Sequence, residues 1–238
     1  MNANQITSGK CHILYDTECL DQVDDGFFEP ERWAAQQLLL GQAPGRGATV
    51  FVQHGNKVLA LRHYHRGGMP AKLCRDRYLW LGLERSRPWQ EWHLLQTLYQ
   101  RGLPVPRTVA ARVCRTGMTY RADIITEVVE ASPLADWLEK KPLPPARLMA
   151  LGQCLRRFHD EGVYHADLNA RNILLDREGR ITLIDFDRGR LRKPAASWQR
   201  ANLKRLKRSL AKFRRDQQHF FFNDEDWQAL LRGYERAN

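Results

Sequence analysis

Four polar residues stand at intervals that can do chemistry. His165, Asp167, Asn172 and Asp185 lie in the stretch YHADLNARNILLDREGRITLIDFD, with Asn172 five residues after Asp167 and Asp185 thirteen after Asn172. Two carboxylates and an amide make a donor set for a hard divalent cation such as Mg²⁺, which prefers oxygen and keeps several waters, leaving room for nucleotide phosphates. A carboxylate not engaged by metal can accept the proton of an attacking hydroxyl. An ordinary hairpin with surface acids and a satisfied histidine contains the same residue types. What separates the two readings is whether the three side chains are brought together.

The intervening sequence is built to do that. Ile173, Leu174 and Leu175 are followed by the turn-forming DREG and then by Ile181, Leu183 and Ile184, which predicts a tight β-hairpin returning Asp185 to the neighbourhood of Asp167 and Asn172. Upstream, ARLMALGQCLRRFHDEG places Leu148, Leu151, Leu155 and Phe158 on one helical face, a core stripe. Downstream, WQRANLKRLKRSLAKFRR sets Leu203, Leu206, Leu210 and Phe213 on one face and Lys and Arg on the others.

HADLNARN resembles the catalytic loop HxDxxxxN of the protein-kinase-like superfamily, and IDFD stands where that superfamily carries its metal-binding DFG. The resemblance implies that Asp167 is the catalytic base, that Asn172 and Asp185 are metal ligands, and that His165 braces the loop. Asp187 replaces the glycine, which argues against a mobile switch because Gly supplies backbone freedom that Asp does not. Upstream, GQAPGRGATVFV is similar to the phosphate-covering GxGxxGxV loop, with Gly45 and Gly47 in the first two places and Val50 in the third. ATVFV and VLALRHY, joined by QHGNK, alternate as a hairpin. There LALR puts Arg62 where the superfamily has its phosphate-pairing lysine, with Lys72 as the fallback. The segment RPWQEWHLLQTLYQRGLPVP predicts a helix bearing Trp92, Leu95, Leu98 and Tyr99, closed by Gly102 and Pro104. Glu91 lies on it, placed to hold Arg62 through an ion pair. After strands TVAARV and ADIITEVV, the polar, Pro-rich EASPLADWLEKKPLPP reads as a crossing between lobes, with Glu127, Val128 and Val129 at the adenine-binding hinge. The implied fold is α+β, protein-kinase-like and bilobal. A β-rich N-lobe would span residues 1–129 and a mainly helical C-lobe residues 130–238.

A narrower resemblance covers most of residues 45–193. LRHYHRGG, RSRPWQEWHLLQTLYQRGLPVP and ILLDREGRITLIDFDRGRLR are similar to the lipopolysaccharide-core kinases that act on 3-deoxy-D-manno-octulosonic acid (Kdo). That likeness implies transfer of the γ-phosphoryl group of ATP, with Mg²⁺, to a Kdo hydroxyl, expected at position 4, on a Kdo-lipid IVA acceptor. No APE-like element follows Asp185, which suits a small or lipid-linked acceptor better than a peptide.

Composition bounds the alternatives. The chain of 238 residues is 43% hydrophobic, long enough to bury a core in one domain or two lobes. No window approaches the roughly 18–20 unbroken apolar residues of a membrane span, and MNANQITSGK lacks the apolar run of a signal peptide. Cys11, Cys19, Cys74, Cys114 and Cys154 form no CxxC, so buried or inert thiols are expected, with neither a disulfide framework nor a zinc site. The formal charge of +11 is local: Arg188 to Arg215 contains twelve Lys or Arg and no acid, so the other 210 residues sum to 11 − 12 = −1.

Three readings of the basic segment stay open: a helix packed on the second lobe, a nucleic-acid-binding helix, and a helix lying near an anionic membrane. The resemblance favours peripheral association with the cytoplasmic face of the inner membrane, and nucleic acid is not expected as a partner. Two other functions compete with the sugar kinase. One is another kinase-like phosphotransferase, acting on an aminoglycoside, choline or a protein residue. The other is a non-enzymatic basic scaffold that binds membrane or RNA.

Overall fold

In the computed structural model, which describes residues 2–43, 49–65 and 76–236, the chain forms two units. The first contains residues up to Thr97 together with Pro106–Val128, and the second contains Leu98–Val105 and the chain from Val129 onward. The segment Leu98–Val105, expected in the N-lobe, therefore goes with the second unit. Pro104 O accepts the Leu183 N–H at 3.0 Å, and Leu103 and Val105 are buried there.

The first unit is built on strands β1 (Ala3–Ser8), β2 (Cys11–Asp16), β3 (Leu39–Gln42), β4 (Thr49–His54), β5 (Lys57–His63), β6 (Tyr78–Leu79), β7 (Thr108–Thr116) and β8 (Thr119–Glu127). They make one antiparallel sheet in the order β1-β2-β7-β8-β5-β4-β3, with β6 pairing on β8. The QHGNK turn has Gly55 at φ +57°, a conformation open to Gly at little cost, and it sets β4 against β5 with Thr49 opposite Arg62. Ile13, Val52, Leu59 and Ile125 pack with Phe27, Phe28 and Trp33 into the core of this unit.

The segment ERWAAQQLLL reads as a helix ending near Gly41, but in the structure α1 spans only Pro30–Ala35. Gln37 turns left-handed at φ +59°, and Leu39 pairs with Val52 across β3 and β4. The helix-forming leucines are captured by an available sheet edge, a case of tertiary pairing overriding local propensity. Helix α2 (Arg87–Gln100) follows the expected register, burying Trp92, Leu95 and Leu98, but Tyr99 faces solvent.

The cysteine expectation needs correcting. Cys11 and Cys114 are opposed across β2 and β7 with Cα atoms 4.0 Å apart, and they form a disulfide. Their separation of 103 residues hides a neighbour relation that only the strand order creates. Cys19 and Cys154 are free thiols, pushed by burial up to about 11 and about 12 respectively, so they stay protonated. Cys74 lies outside the described residues.

The second unit contains β9 (Ser132–Pro133), α3 (Leu134–Lys140), α4 (Pro145–Asp160), β10 (Val163–Tyr164), β11 (Ile173–Leu175), β12 (Ile181–Leu183), β13 (Arg190–Leu191), α5 (Ala196–Asp216) and α6 (Asp224–Glu235). The segment that reads as a crossing between lobes includes a helix, α3, whose Leu134, Ala135 and Leu138 are fully buried. The α4 stripe is core, as expected. Helices α4 and α6 approach so closely that a Cβ on Gly152 would lie 2.0 Å from Leu230 O, and one on Gly233 would lie 2.0 Å from Met149 O. Only glycine fits at either crossing point. On α5, Leu203, Leu206 and Leu210 are buried within the unit, while Lys204, Lys207, Arg208, Lys212, Arg214 and Arg215 are exposed.

Candidate active site

The candidate catalytic residues His165, Asp167 and Asn172 sit between two short strands of the second unit. β10 ends at Tyr164, the polar loop 165–172 follows, and β11 leaves it at Ile173. The β11–β12 hairpin forms as expected, with Ile173 opposite Leu183 and Leu175 opposite Ile181. Its DREG turn is closed by Gly179 at φ +87° and by the Asp176 carboxylate, which accepts the Arg180 N–H at 2.7 Å.

His165 ties the two ends of this hairpin together. It is buried, its Nε2–H donates to Ile184 O at 3.0 Å, and its Nδ1 accepts the Asp167 N–H at 3.2 Å. Burial lowers its pKa against the opposing pull of the Ile184 carbonyl and of the Asp185 and Asp167 carboxylates, so the ring is neutral, as acceptance at Nδ1 requires. A further bond runs from the Ile184 N–H to Asn172 O at 3.0 Å. Asp185 therefore emerges next to a residue bonded to both His165 and Asn172. Asp185 adopts φ +63°, a left-handed conformation that Asp tolerates better than most residues. Among the described non-glycine residues Arg188 shares that conformation and Asp187 does not, so the fold has no need of a glycine at position 187. Phe186 is buried against His165, with ring centroids 4.7 Å apart.

Asn172 and Asp167 are oriented by the same loop. Asn172 Nδ2 donates to Asp167 O at 2.9 Å, leaving its amide oxygen as the acceptor a cation would take. Asn169 Nδ2 donates to Asp167 Oδ2 at 3.1 Å, and the Asp167 side chain is 58% exposed. A carboxylate held by its neighbours yet open to solvent suits a base. An amide oxygen and a carboxylate fit Mg²⁺, which takes few protein ligands and completes its shell with phosphates and water.

Asn202 of α5 was not singled out from the sequence. Its side chain accepts the His165 N–H at 3.2 Å and donates to His165 O at 3.0 Å. Nothing in WQRANLKRL marks this asparagine except its place among apolar positions.

The first unit contributes a second cluster. Arg62 of β5 donates to Glu91 of α2 at 2.6 Å, as the sequence predicts, and Glu91 is only 3% exposed. Tyr64, which sequence reasoning missed, completes the cluster: its hydroxyl donates to the same Glu91 oxygen at 2.5 Å. Tyr64 stands just past the end of β5, two residues after Arg62, a spacing present in RHYH. Gly45, Gly47 and Lys72 lie outside the described residues. At the expected hinge, the Glu127 N–H is taken by Arg107 O and the Val128 N–H by Val58 O, both at 2.9 Å, and the Glu127 carboxylate pairs with Lys57. The backbone bonds described leave the Val129 N–H free, while Val129 O accepts from Ala131 at 2.8 Å.

Comparison with known proteins decides the family. The model of the lipopolysaccharide kinase (Kdo/WaaP) family matches residues 30–234. The chain belongs to that family. As a Kdo/WaaP family member it is a kinase of protein-kinase-like α+β fold, and His165, Asp167, Asn172 and Asp185 all fall inside the matched range. It is 45% identical over 226 residues to a 3-deoxy-D-manno-octulosonic acid kinase of Xanthomonas euvesicatoria pv. vesicatoria, covering 94% of this chain and 90% of the relative. A protein of the same name from Stenotrophomonas maltophilia is 42% identical over 229 residues, with coverages of 94% and 90%. Another from Vibrio parahaemolyticus is 41% identical over 201 residues, covering 84% of each chain.

Proposed function

We propose that this Kdo/WaaP family kinase transfers the γ-phosphoryl group of ATP to the 4-hydroxyl of Kdo on a Kdo-lipid IVA acceptor, in lipopolysaccharide core assembly. The observation that carries the reading is the knot joining His165, Asp167, Asn172 and Ile184, found in a chain over 40% identical to named Kdo kinases across most of its length. In the second unit, Asp167 orients the acceptor hydroxyl and takes its proton. Asn172 and Asp185 hold Mg²⁺, which supplies positive charge to the phosphates. In the first unit, Arg62, held by Glu91 and Tyr64, is the phosphate-positioning cation, with Gly45 and Gly47 covering the nucleotide and Glu127 offering its backbone carbonyl to adenine; Val129, in the second unit, offers its backbone N–H. Catalysis of this kind is positioning and charge stabilisation more than covalent chemistry.

Only residues 186–195 separate Asp185 from α5, too little chain for a peptide-docking platform, which favours the sugar acceptor over a protein one. The exposed cations of α5 support peripheral association with the anionic cytoplasmic face of the inner membrane, each Lys or Arg near such a surface contributing about 1 kcal/mol. Among the described residues no helix is long and apolar enough to cross a membrane.

The test is incubation of the purified chain with ATP, Mg²⁺ and Kdo-lipid IVA, followed by mass spectrometry and mapping of the modified hydroxyl. One added phosphate on the Kdo 4-position is the expected product. No transfer to this acceptor, with transfer to a choline, aminoglycoside or peptide in a parallel panel, overturns the reading.

A further inference from the structure

One cation beside the candidate base has no part in the scheme above. Arg205 Nη1 lies 3.5 Å from Asp167 Oδ1, and the Arg205 side chain is 42% exposed. Its backbone is fixed. Asn202, Arg205, Leu206 and Ser209 follow one another at spacings of three, one and three residues, which places them on one side of α5. Asn202 grips His165, Leu206 is fully buried, and Ser209 Oγ accepts the Ala170 N–H at 3.2 Å. The stem of Arg205 is therefore held against the loop while its guanidinium reaches solvent beside Asp167.

Asp167 does not depend on Arg205 for its orientation, because Asn169 holds Oδ2 and His165 holds the backbone N–H. A single long contact also leaves most of the five guanidinium donors unused, in a planar fork that matches a carboxylate. The relatives act on an octulosonic acid, so the acceptor brings its own carboxylate toward a carboxylate base. Like charges repel, and a guanidinium beside Asp167 can offset that repulsion by pairing with the acceptor's carboxylate.

We propose that Arg205 is the acceptor-recognition residue of this kinase, its guanidinium binding the carboxylate of the sugar acid while Asp167 receives the hydroxyl proton. The inference rests on the sugar-acid reading given under Proposed function, and its test is separable from that one. Steady-state kinetics would be measured for the full chain, Arg205→Ala and Arg205→Lys, using the Kdo acceptor and the same acceptor with its carboxylate converted to the amide. Arg205→Ala should raise the acceptor KM about tenfold or more, the scale of one lost charge-assisted hydrogen bond, and leave the ATP KM within about twofold. Arg205→Lys, which keeps the charge but loses the fork, should fall between. The wild type should discriminate against the amide by a similar factor, and Arg205→Ala should not discriminate.

An unchanged acceptor KM in Arg205→Ala overturns the inference, as does a loss confined to kcat or to the ATP KM. Equal discrimination against the amide by wild type and variant also overturns it. If Arg205→Ala fails to fold, the decision passes to Arg205→Lys and the amide acceptor with the wild type. Absence of transfer by the wild type to the acid acceptor overturns the functional reading itself.

Discussion

The side-chain amide of Asn202 spans the backbone of His165, taking its N–H at 3.2 Å and giving to its carbonyl at 3.0 Å. Both partners are buried, so truncation leaves a donor and an acceptor of the loop that carries Asp167 without water or protein to replace the bond. Asn202→Ala should lower unfolding free energy by on the order of 3 kcal/mol, measured by denaturant titration. Turnover should fall as well, since the position of Asp167 depends on His165.

Asp167 is exposed and its carboxylate supports no buried partner, so its removal should separate activity from stability. Asp167→Asn is expected to cut turnover by at least ~10²-fold, the lower end of a general-base contribution. Its thermal midpoint should match the wild type, since surface changes of this kind usually stay within about 0.5 kcal/mol. Near-normal ATP-dependent transfer by this variant would remove the role assigned to Asp167.

The Arg62–Glu91 pair makes the opposite forecast. Glu91 is buried, and Arg62→Ala would take a charged partner away from its carboxylate, a loss on the order of 3 kcal/mol. The double change Arg62→Met with Glu91→Leu should recover much of that stability by replacing the charges with apolar packing. The ATP KM should remain raised in the double variant. Recovery of ATP affinity together with stability would reduce the pair to a structural role.

His159 sets a limit at low pH. It is buried beside Tyr234, with Nδ1 2.7 Å from the tyrosine hydroxyl, and burial pushes its pKa down to about 4 from an ordinary value near 6.5. Between those two values the unfolded chain binds the proton that the folded chain refuses, so stability falls as pH drops through this window and levels off below it. The loss is on the order of 3 kcal/mol. Melting profiles from pH 7 to pH 4 should show it, and His159→Gln should flatten that limb. His165, also held neutral by burial, should add to the same limb.

The second-unit hairpin could be read from sequence because its signals are local. An apolar run, a turn with Gly and Asp, and a second apolar run fix the register of β11 on β12, and the register brings Asp185 back toward Asn172. The Arg62–Glu91 pair was accessible through the likeness of LALR and the following helix to kinase elements. The missing pieces are long-range or contextual. Cys11 meets Cys114 only because β2 pairs with β7. Leu39 leaves a helical pattern because β4 offers an edge. Asn202 looks like an ordinary polar residue in a basic helix until its amide is seen on His165, and α3 is hidden by the prolines and charges around its three buried residues.

Helix α5 is one rigid rod with two addresses. Asn202, Arg205 and Ser209 meet the loop that carries Asp167, while Lys204, Lys207 and Arg208, interleaved with them, face outward. Residues one or two apart on a helix point in different directions but cannot move independently. A negatively charged surface gripping the outer flank would therefore set the angle at which the loop meets a lipid-tethered sugar, so anchorage and aim would be a single act.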